Sequence, residues 1–303
     1  LFHSFGFTVT LWFALLERIK LVTVSSPLEV KKGLNAIREE KVTILLGTPT
    51  FLRPFLRKGT EEDLASVGYV IAGAEKTPTD FAEKWESSFG CRYFEGYGLT
   101  ETSPVLSINR PGDGSRKGSV GKLMPGVAAR SLDPDSGEPL APTQTGLLCF
   151  RGPNIFAGYL EEPERSKEVL PGDGWFHTGD LGRFDEDSFL FIEGRLSRFS
   201  KIGGEMVPHG TVEHEVAKVL GVEDSEKPLV AIGSKEDAAK GESLVLLAVP
   251  EVDFDDLRKR LSEAGLTNLW IPKELKRVEA IPMLPTGKLD LKEIAKMSAD
   301  AEG

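Results

Sequence analysis

The chain has 303 residues, of which 40% are hydrophobic, which is enough for a buried core and about two domains. Its formal net charge of −10 argues against a nucleic-acid-binding protein, because such a protein needs a basic face. The two cysteines, Cys91 and Cys149, lie far apart and indicate neither a disulfide framework nor a zinc site, which fits a reducing compartment.

The chain opens with an apolar run over residues 1–16 that also contains His3, Ser4, Thr8 and Thr10. The run is shorter than the roughly 20 apolar residues of a membrane span. A signal peptide would carry its positive charge before the apolar run, and this one does not. We therefore expect a buried helix or loop segment of a larger protein. Because the pattern starts without a methionine, we interpret the chain as a fragment whose N-terminal part is missing.

The first third alternates between strand and helix patterns. Strands are predicted at residues 21–24, 43–47 and 67–72, and helices at 27–41, from about Pro49 onward, and at 78–89. Such repeats predict a mostly parallel sheet, whose ligands bind beyond the carboxyl ends of the strands. Gly73-Ala74-Glu75 and Gly96-Tyr97-Gly98 both follow predicted strands, so we expect both to line one crevice.

The stretch around Tyr97 carries most of the chemistry. Gly96 and Gly98 open the backbone to close contact with a ligand. The tyrosine ring between them can stack on a flat heterocycle. Thr100 offers a hydroxyl and Glu101 a hard oxygen ligand suited to Mg²⁺. Together they can hold a nucleotide phosphate and its metal, and a tight turn with a polar tip is the alternative interpretation.

From about residue 118 to 193, prolines and glycines separate short alternating runs, which predicts a β-rich subdomain. Residues 110–121 are Gly-rich and basic, and we favour a mobile surface turn over a phosphate loop there. Further on, the carboxylate of Asp180 follows a glycine and can accept hydrogen bonds from ribose hydroxyls. His177 beside it is favoured as a structural residue.

Beyond Gly194 the pattern predicts a small α+β domain, with helices at 211–220 and after the capping residue Asp253 and strands at 229–232 and 244–249. At its start, Arg195 and Lys201 can reach ribose or phosphate oxygens, and a charged hairpin is the alternative. Near its end, Lys288 follows a glycine in a segment that is not a Walker A loop. It is either a surface charge or a cation that reaches into a cleft.

In this order, the motifs resemble the adenylate-forming superfamily of acyl-CoA synthetases, luciferases and peptide-synthetase adenylation domains. The resemblance covers nearly the whole chain and implies a partial adenylate-forming α/β fold. Residues 1–194 would be the C-terminal part of the large AMP-binding domain, with an α/β subdomain at 1–117 and a β-rich subdomain at 118–194. Residues 195–303 would be the small, mobile C-terminal α+β domain.

The same resemblance implies ATP and Mg²⁺ as cofactors and assigns roles to individual residues. The implied nucleotide-binding residues are Gly73, Ala74, Glu75, Glu95, Gly96, Tyr97, Thr100, Asp180 and Arg195. Thr100, Glu101 and Lys288 are the implied catalytic residues, and Glu101 is also the implied metal ligand. The implied acyl and thiol channel contains His3, Lys201, Gly203 and Gly204.

Residues 70–76, 198–207 and 239–246 show a narrower resemblance, to the synthetase half of bacterial acyl-[acyl-carrier-protein] synthetase/2-acylglycerophosphoethanolamine acyltransferases. It implies activation of a long-chain fatty acid, transfer to the thiol of acyl carrier protein, and a role in lysophospholipid reacylation. Location would be cytoplasmic or on the cytoplasmic face of the inner membrane, with membrane association only through absent N-terminal modules. A long-chain fatty acyl-CoA ligase and an inactive nucleotide-binding remnant remain alternatives.

The sequence departs from the family pattern in two ways, and each affects what we expect of the chain. The family's Ser/Thr/Gly-rich phosphate loop would lie upstream of His3, so we expect the isolated chain to be inactive or very weak. Ser197 stands where many relatives carry an acidic or lysine hinge residue, which leaves the pivot of the domain rotation unassigned.

Because carrier proteins in this family are acidic, docking of the carrier protein needs a local basic patch. The candidates are residues 258–260 and 31–32, with a solvated helix face as the alternative for each.

Overall fold

The computed structural model describes residues 3–223, 225, 227–249, 252–284 and 289–299. The chain divides into two compact units, Leu1–Ile192 and Glu193–Gly303. Within the described ranges, no helix combines the length and the apolar composition needed to cross a bilayer.

A five-stranded mixed sheet organises the first part of the first unit, in the order β1-β2-β3-β4-β5. Its strands are β1 (Ile44–Gly47), β2 (Tyr69–Ala72), β3 (Arg92–Gly98), β4 (Val105–Ile108) and β5 (Lys122–Leu123). The first three are parallel, and β4 and β5 are added antiparallel. The carboxyl ends of β2 and β3 therefore lie side by side.

Five α-helices precede or connect these strands: α1 (Phe13–Glu17), α2 (Val30–Glu40), α3 (Pro49–Lys58), α4 (Glu61–Leu64) and α5 (Thr79–Phe89). Local signals explain their ends. Thr48 caps α3 by accepting a hydrogen bond from the Phe51 amide, and α5 ends at Gly90 with φ +65°. The buried core between these helices and the sheet contains Leu34, Leu52, Phe55, Leu64, Val70, Trp85 and Tyr93.

One expectation for the start of the chain is wrong. Residues 21–24 form no strand, and Val24 is exposed. The opening run is helical, with a π-helix at Gly6–Trp12 followed by α1. In this chain Trp12 and Leu16 are exposed and Ala14 is the buried residue of α1, so burial within a larger protein stays a prediction. Apolar composition predicts burial only where another element covers the side chains.

A second, five-stranded sheet follows in the order β10-β9-β8-β6-β7, as predicted for a β-rich region. Its elements are β6 (Ala128–Leu132), β7 (Pro139–Leu140), β8 (Gly146–Arg151), α6 (Pro163–Val169), β9 (Phe176–Phe184) and β10 (Leu190–Arg195). Gly121 joins it to the first sheet. The Val120 amide donates to the Leu190 carbonyl (2.8 Å) and the Leu190 amide to the Gly121 carbonyl (2.9 Å). A Cβ on Gly121 would lie 1.9 Å from the backbone of Ile108, so only glycine fits.

The basic loop over residues 110–121 is a turn tied to the protein's own acidic groups. The Arg116 guanidinium pairs with Asp185 and Asp187, and Arg110 pairs with Asp113. These arginines are thus paired with carboxylates of the protein and do not form an open binding site for a phosphate. This agrees with the favoured interpretation of a surface turn.

The second unit is an α+β structure around a sheet ordered β12-β11-β14-β13, with β15 paired to β14. Its elements are β11 (Phe199–Ile202), β12 (Glu205–Pro208), α7 (His209–Leu220), β13 (Val230–Asp237), β14 (Gly241–Ala248), α8 (Phe254–Glu263), β15 (Glu274–Arg277) and α9 (Leu291–Ala299). Asp253 caps α8 as predicted, by accepting from the Asp256 amide at 3.1 Å. Apolar side chains of α7, α8, β13 and β14 fill its core.

Candidate functional site

The site is organised by the turn that follows β3. A Cβ on Gly98 would lie 1.7 Å from the carbonyl oxygen of Pro104, so the strand and the returning chain approach too closely for any other residue. A 3₁₀ turn, Thr100–Thr102, follows. The buried Thr102 hydroxyl accepts from the Leu99 amide (2.9 Å) and donates to the Pro104 carbonyl (2.7 Å). This rigid turn presents Thr100 at the surface and Glu101 beside it, half-buried.

The loop after β8 holds Glu101 from the other side. The Tyr159 hydroxyl donates to Glu101 Oε1 at 2.8 Å, and the Phe156 amide donates to the Glu101 carbonyl at 2.9 Å. The Asn154 side-chain amide donates to the carbonyls of Thr102 (2.8 Å) and Val105 (3.0 Å). Both the backbone and the carboxylate of the turn are therefore fixed by one segment.

Tyr97 and Asp180 meet although 83 positions separate them, because β3 and β9 carry them to the same place. The Tyr97 hydroxyl donates to Asp180 Oδ2 at 2.5 Å, and the Tyr97 ring lies 6.1 Å from that of Phe150. Asp180 is only 4% exposed, and its amide donates to the Thr178 hydroxyl. Gly179 lies within β9 and has a positive φ of +74°.

The residues after β2 lie next to this strand. A Cβ on Gly73 would be 3.4 Å from the Gly96 carbonyl, so the two segments predicted to share a crevice are neighbours. Ala74 has φ +66°, a left-handed conformation that is uncommon for alanine. The Glu75 carboxylate accepts from the Thr50 amide (3.1 Å) and hydroxyl (2.7 Å). Gly96-Tyr97-Gly98 forms the last part of β3 rather than following it.

Glu95 is mostly buried in β3. Its Oε1 accepts from the Thr77 amide at 3.0 Å, and its main-chain carbonyl accepts from the Asn109 amide at 3.0 Å. Burial is the main cause that raises the pKa of Glu95 to about 7, against the smaller opposing effect of the Thr77 hydrogen bonds. This carboxyl therefore titrates near neutral pH.

Residues at the start of the described chain border the turn. The Ser4 hydroxyl lies 3.3 Å from that of Thr100, and the Phe5 ring lies 3.6 Å from where a Cβ on Gly73 would stand. His3, the channel residue implied by resemblance, is exposed, and its Nδ1 accepts from the Phe5 amide at 3.3 Å.

The remaining site residues predicted from the sequence belong to the second unit or lie outside the residues that the structure describes. Arg195 ends β10 and is exposed. Lys201 lies on β11, where its amide donates to a Glu242 carboxylate oxygen at 2.6 Å. Gly203 and Gly204 form the two-residue turn between β11 and β12, with φ of +59° and +88°. Lys288 lies outside the described residues.

The donors at the turn fit a magnesium ion that is bound mainly by a nucleotide. In the described ranges, no group of three or more His, Cys, Asp or Glu side chains could hold a metal by itself. Mg²⁺ is commonly held by one or two carboxylates together with substrate phosphates and water. Glu101 has one oxygen, Oε2, for which the described residues provide no hydrogen-bond partner, and Thr100 precedes Glu101 in the sequence.

Sequence reasoning missed Ser4, Asn154 and Tyr159. Glu101 and Tyr159 are 58 positions apart, and nothing in the local pattern around Tyr159 indicates a bond to a distant carboxylate. Only the packing of the loop after β8 against the turn after β3 brings the two side chains together.

Comparison with known proteins gives a consistent result. Residues 1–160 match the family model described as AMP-binding enzyme. The 3-hydroxybenzoate–CoA/4-hydroxybenzoate–CoA ligase of Thauera aromatica is 33% identical over 270 residues, which are 86% of this chain and 50% of the relative. The long-chain-fatty-acid–CoA ligase of Salmonella typhimurium is 28% identical over 296 residues, 97% of this chain and 52% of the relative. The chain thus spans about half the length of these relatives.

Solved structures agree. ATP-bound MatB from Rhodopseudomonas palustris superimposes with a TM-score of 0.82 at 28% identity, covering 98% of this chain and 58% of that one. The o-succinylbenzoate CoA synthetase of Bacillus subtilis in complex with its acyl-adenylate has a TM-score of 0.83 at 23% identity, covering 99% and 59%, and supports the fold alone. The predicted partial adenylate-forming α/β fold is confirmed.

Proposed function

The chain belongs to the AMP-binding enzyme family, and from this premise we propose that it takes part in ATP-dependent activation of a carboxylic acid through an acyl-adenylate. The observation that carries the proposal is the convergence of Tyr97, Asp180, Thr100 and Glu101 at the end of β3. Asp180 can accept hydrogen bonds from ribose hydroxyls, the Thr100 hydroxyl can donate one to a phosphate, and Glu101 can bind a metal. All three lie in one rigid turn and the strand beside it.

In the first step, an oxygen of the substrate carboxylate attacks the α-phosphorus of ATP, the bond between the α- and β-phosphates breaks, and pyrophosphate leaves. Such a transfer needs positioning and neutralisation of charge more than covalent help from the protein. Asp180, held by Tyr97, would accept from the ribose hydroxyls, and the Thr100 hydroxyl would donate to a phosphate oxygen. Mg²⁺, held by Glu101, would neutralise phosphate charge. Lys288 would add a cation, a role that rests on the family resemblance.

In the second step, a thiol sulfur attacks the acyl carbon, AMP leaves, and the thiol proton is released. We propose that residues 1–194 and 195–303 act as the large and small domains, that the small domain rotates near residues 195–199, and that Gly203 and Gly204 line the thiol channel. Hinges absorb such rotations over a few residues. His3 and Lys201 would border the acyl and thiol path.

For the substrate and the acceptor, we propose a long-chain fatty acid and the thiol of acyl carrier protein. The three segments at residues 70–76, 198–207 and 239–246 support this choice, and the relative named long-chain-fatty-acid–CoA ligase supports the acid. A second candidate is transfer to coenzyme A, favoured by the names of the similar ligases. In the carrier-protein version, the product feeds lysophospholipid reacylation.

The test is ATP–pyrophosphate exchange by the intact protein, with palmitate and 3-hydroxybenzoate as alternative acids and Glu101→Gln as the matched variant. We expect exchange with palmitate that falls about 10²- to 10³-fold in Glu101→Gln. Thiolysis with coenzyme A and with holo-carrier protein, run side by side, then identifies the acceptor. ATP binding without exchange for either acid would favour a nucleotide-binding remnant and would contradict the proposal.

A further inference from the structure

The side chain of Tyr159 is fixed on several sides. The Arg165 guanidinium lies 4.3 Å from the centre of its ring, and the Phe156 ring lies 4.9 Å away, edge-on. The Tyr159 amide donates to the Ser166 hydroxyl at 2.8 Å, which anchors the residue to α6. The hydroxyl that reaches Glu101 Oε1 at 2.8 Å is therefore preorganised.

This contact restricts the carboxylate that is proposed to bind metal. A glutamate side chain rotates about several bonds, and a hydrogen bond to one oxygen fixes its orientation. With Oε1 held by Tyr159, Oε2 is the oxygen left for a cation. The Arg165 guanidinium is attracted to the face of the ring and helps to keep the ring in place. Groups that orient a metal ligand in this way typically contribute about 10- to 100-fold to metal affinity or activity.

We propose that Tyr159 is a positioning residue that holds Glu101 for the divalent cation of the bound nucleotide. The inference rests on the proposed function, which assigns that cation to Glu101. It goes further by assigning a role to a residue that no sequence motif selects.

The hydroxyl contact is separable from the anchoring of the loop. The Phe156 amide and the Asn154 side chain bind the turn through three other hydrogen bonds, none of which involves the Tyr159 hydroxyl. The loop is thus expected to keep its place when the hydroxyl is removed. A loss of metal affinity in Tyr159→Phe would then report on Glu101 rather than on folding.

The experiment measures Mn²⁺ binding by electron paramagnetic resonance, in the intact protein saturated with a non-hydrolysable ATP analogue. We expect Tyr159→Phe to raise the Kd of Mn²⁺ about 10-fold or more. Binding of the analogue without metal should change less than about twofold, because only the metal ligand is affected. The matched control is Tyr69→Phe, a tyrosine that is 39% exposed and stacks on Phe94 outside the turn.

Two further variants separate the possible outcomes. If Glu101→Gln weakens Mn²⁺ binding and Tyr159→Phe does not, the positioning role is overturned while the proposed function stands. If Glu101→Gln itself retains wild-type affinity, the metal assignment fails and the inference fails with it. Asn154→Ala removes loop anchoring and leaves the hydroxyl, so it should lower the unfolding temperature and keep the Mn²⁺ affinity. An equal loss of affinity in Asn154→Ala and Tyr159→Phe would also overturn the inference.

Discussion

Replacing Glu95 by glutamine should remove a pH dependence from the stability of the first unit. In the folded protein, burial raises the pKa of this carboxyl to about 7, whereas the ordinary value is 4.5. Between these two values the folded state holds a proton that the unfolded state has lost. Stability contributed by this group is therefore fully present below pH 4.5 and is lost as the pH rises through about 7.

The magnitude follows from the shift. A change of about 2.5 pH units, at about 1.4 kcal/mol for each unit, corresponds in full to about 3.5 kcal/mol in the free energy of unfolding. Glutamine does not titrate, and its side-chain oxygen can still accept from the Thr77 amide, 3.0 Å from the carboxylate oxygen it replaces. The variant should therefore keep the fold.

The assay is urea unfolding of wild type and Glu95→Gln at pH 4.5, 5.5, 6.5 and 7.5. The difference in unfolding free energy, wild type minus variant, should fall by about 3 kcal/mol across this range. The exposed Glu39→Gln on α2 controls for the loss of one formal charge. A difference that stays constant with pH would refute the argument, because it would mean that Glu95 loses its proton equally in both states.

Three other changes test separate features. Gly98→Ala places a Cβ 1.7 Å from the Pro104 carbonyl, so the free energy of unfolding measured in urea should fall by about 1–3 kcal/mol or more. Gly112 has open space around it, so Gly112→Ala should leave that free energy nearly unchanged. Burial, followed by the nearby Arg198 charge, lowers the pKa of His209 to about 4, so its NMR signal, assigned with His209→Gln, should stay in the neutral position down to about pH 5. A midpoint between pH 6 and 7 would contradict that burial. Lys288→Ala should reduce ATP–pyrophosphate exchange about 10²- to 10³-fold and spare thiolysis of supplied acyl-adenylate, with the exposed Lys292→Ala as control. Near-wild-type exchange would disprove the adenylation role of Lys288.

Local signals were sufficient for much of the first unit. The helix predicted from about Pro49 is α3, the helix predicted at 78–89 is α5, and the apolar runs give β1 and β2 to within two residues. The strand and helix patterns predict the three regions of the fold, and the order of the motifs adds the resemblance to the adenylate-forming superfamily. The stretch from Tyr97 to Glu101 was recognisable because its chemistry is contiguous in sequence.

Contacts between distant segments could not be predicted. The hydrogen bonds of Tyr97 with Asp180 and of Tyr159 with Glu101 depend on how β3, β8 and β9 pack, which no local pattern encodes. The same limit applies to the apolar helices at the start of the chain, where composition alone does not decide burial. Whether an apolar helix is buried is decided by its neighbours, and the helical residues Trp12 and Leu16 remain exposed.

The backbone hydrogen bonds of Val120 and Gly121 with Leu190 form a joint between the first two sheets. This joint has a consequence for recombination between members of this family. Its backbone bonds to β10 depend on a segment about 70 positions later in the chain, and a side chain at this position would collide with Ile108. A crossover placed between Gly121 and Leu190 would combine halves of the joint from different parents. A crossover after Ile192 would inherit Tyr97, Asp180 and the joint together, so such chimeras should retain an intact crevice more often.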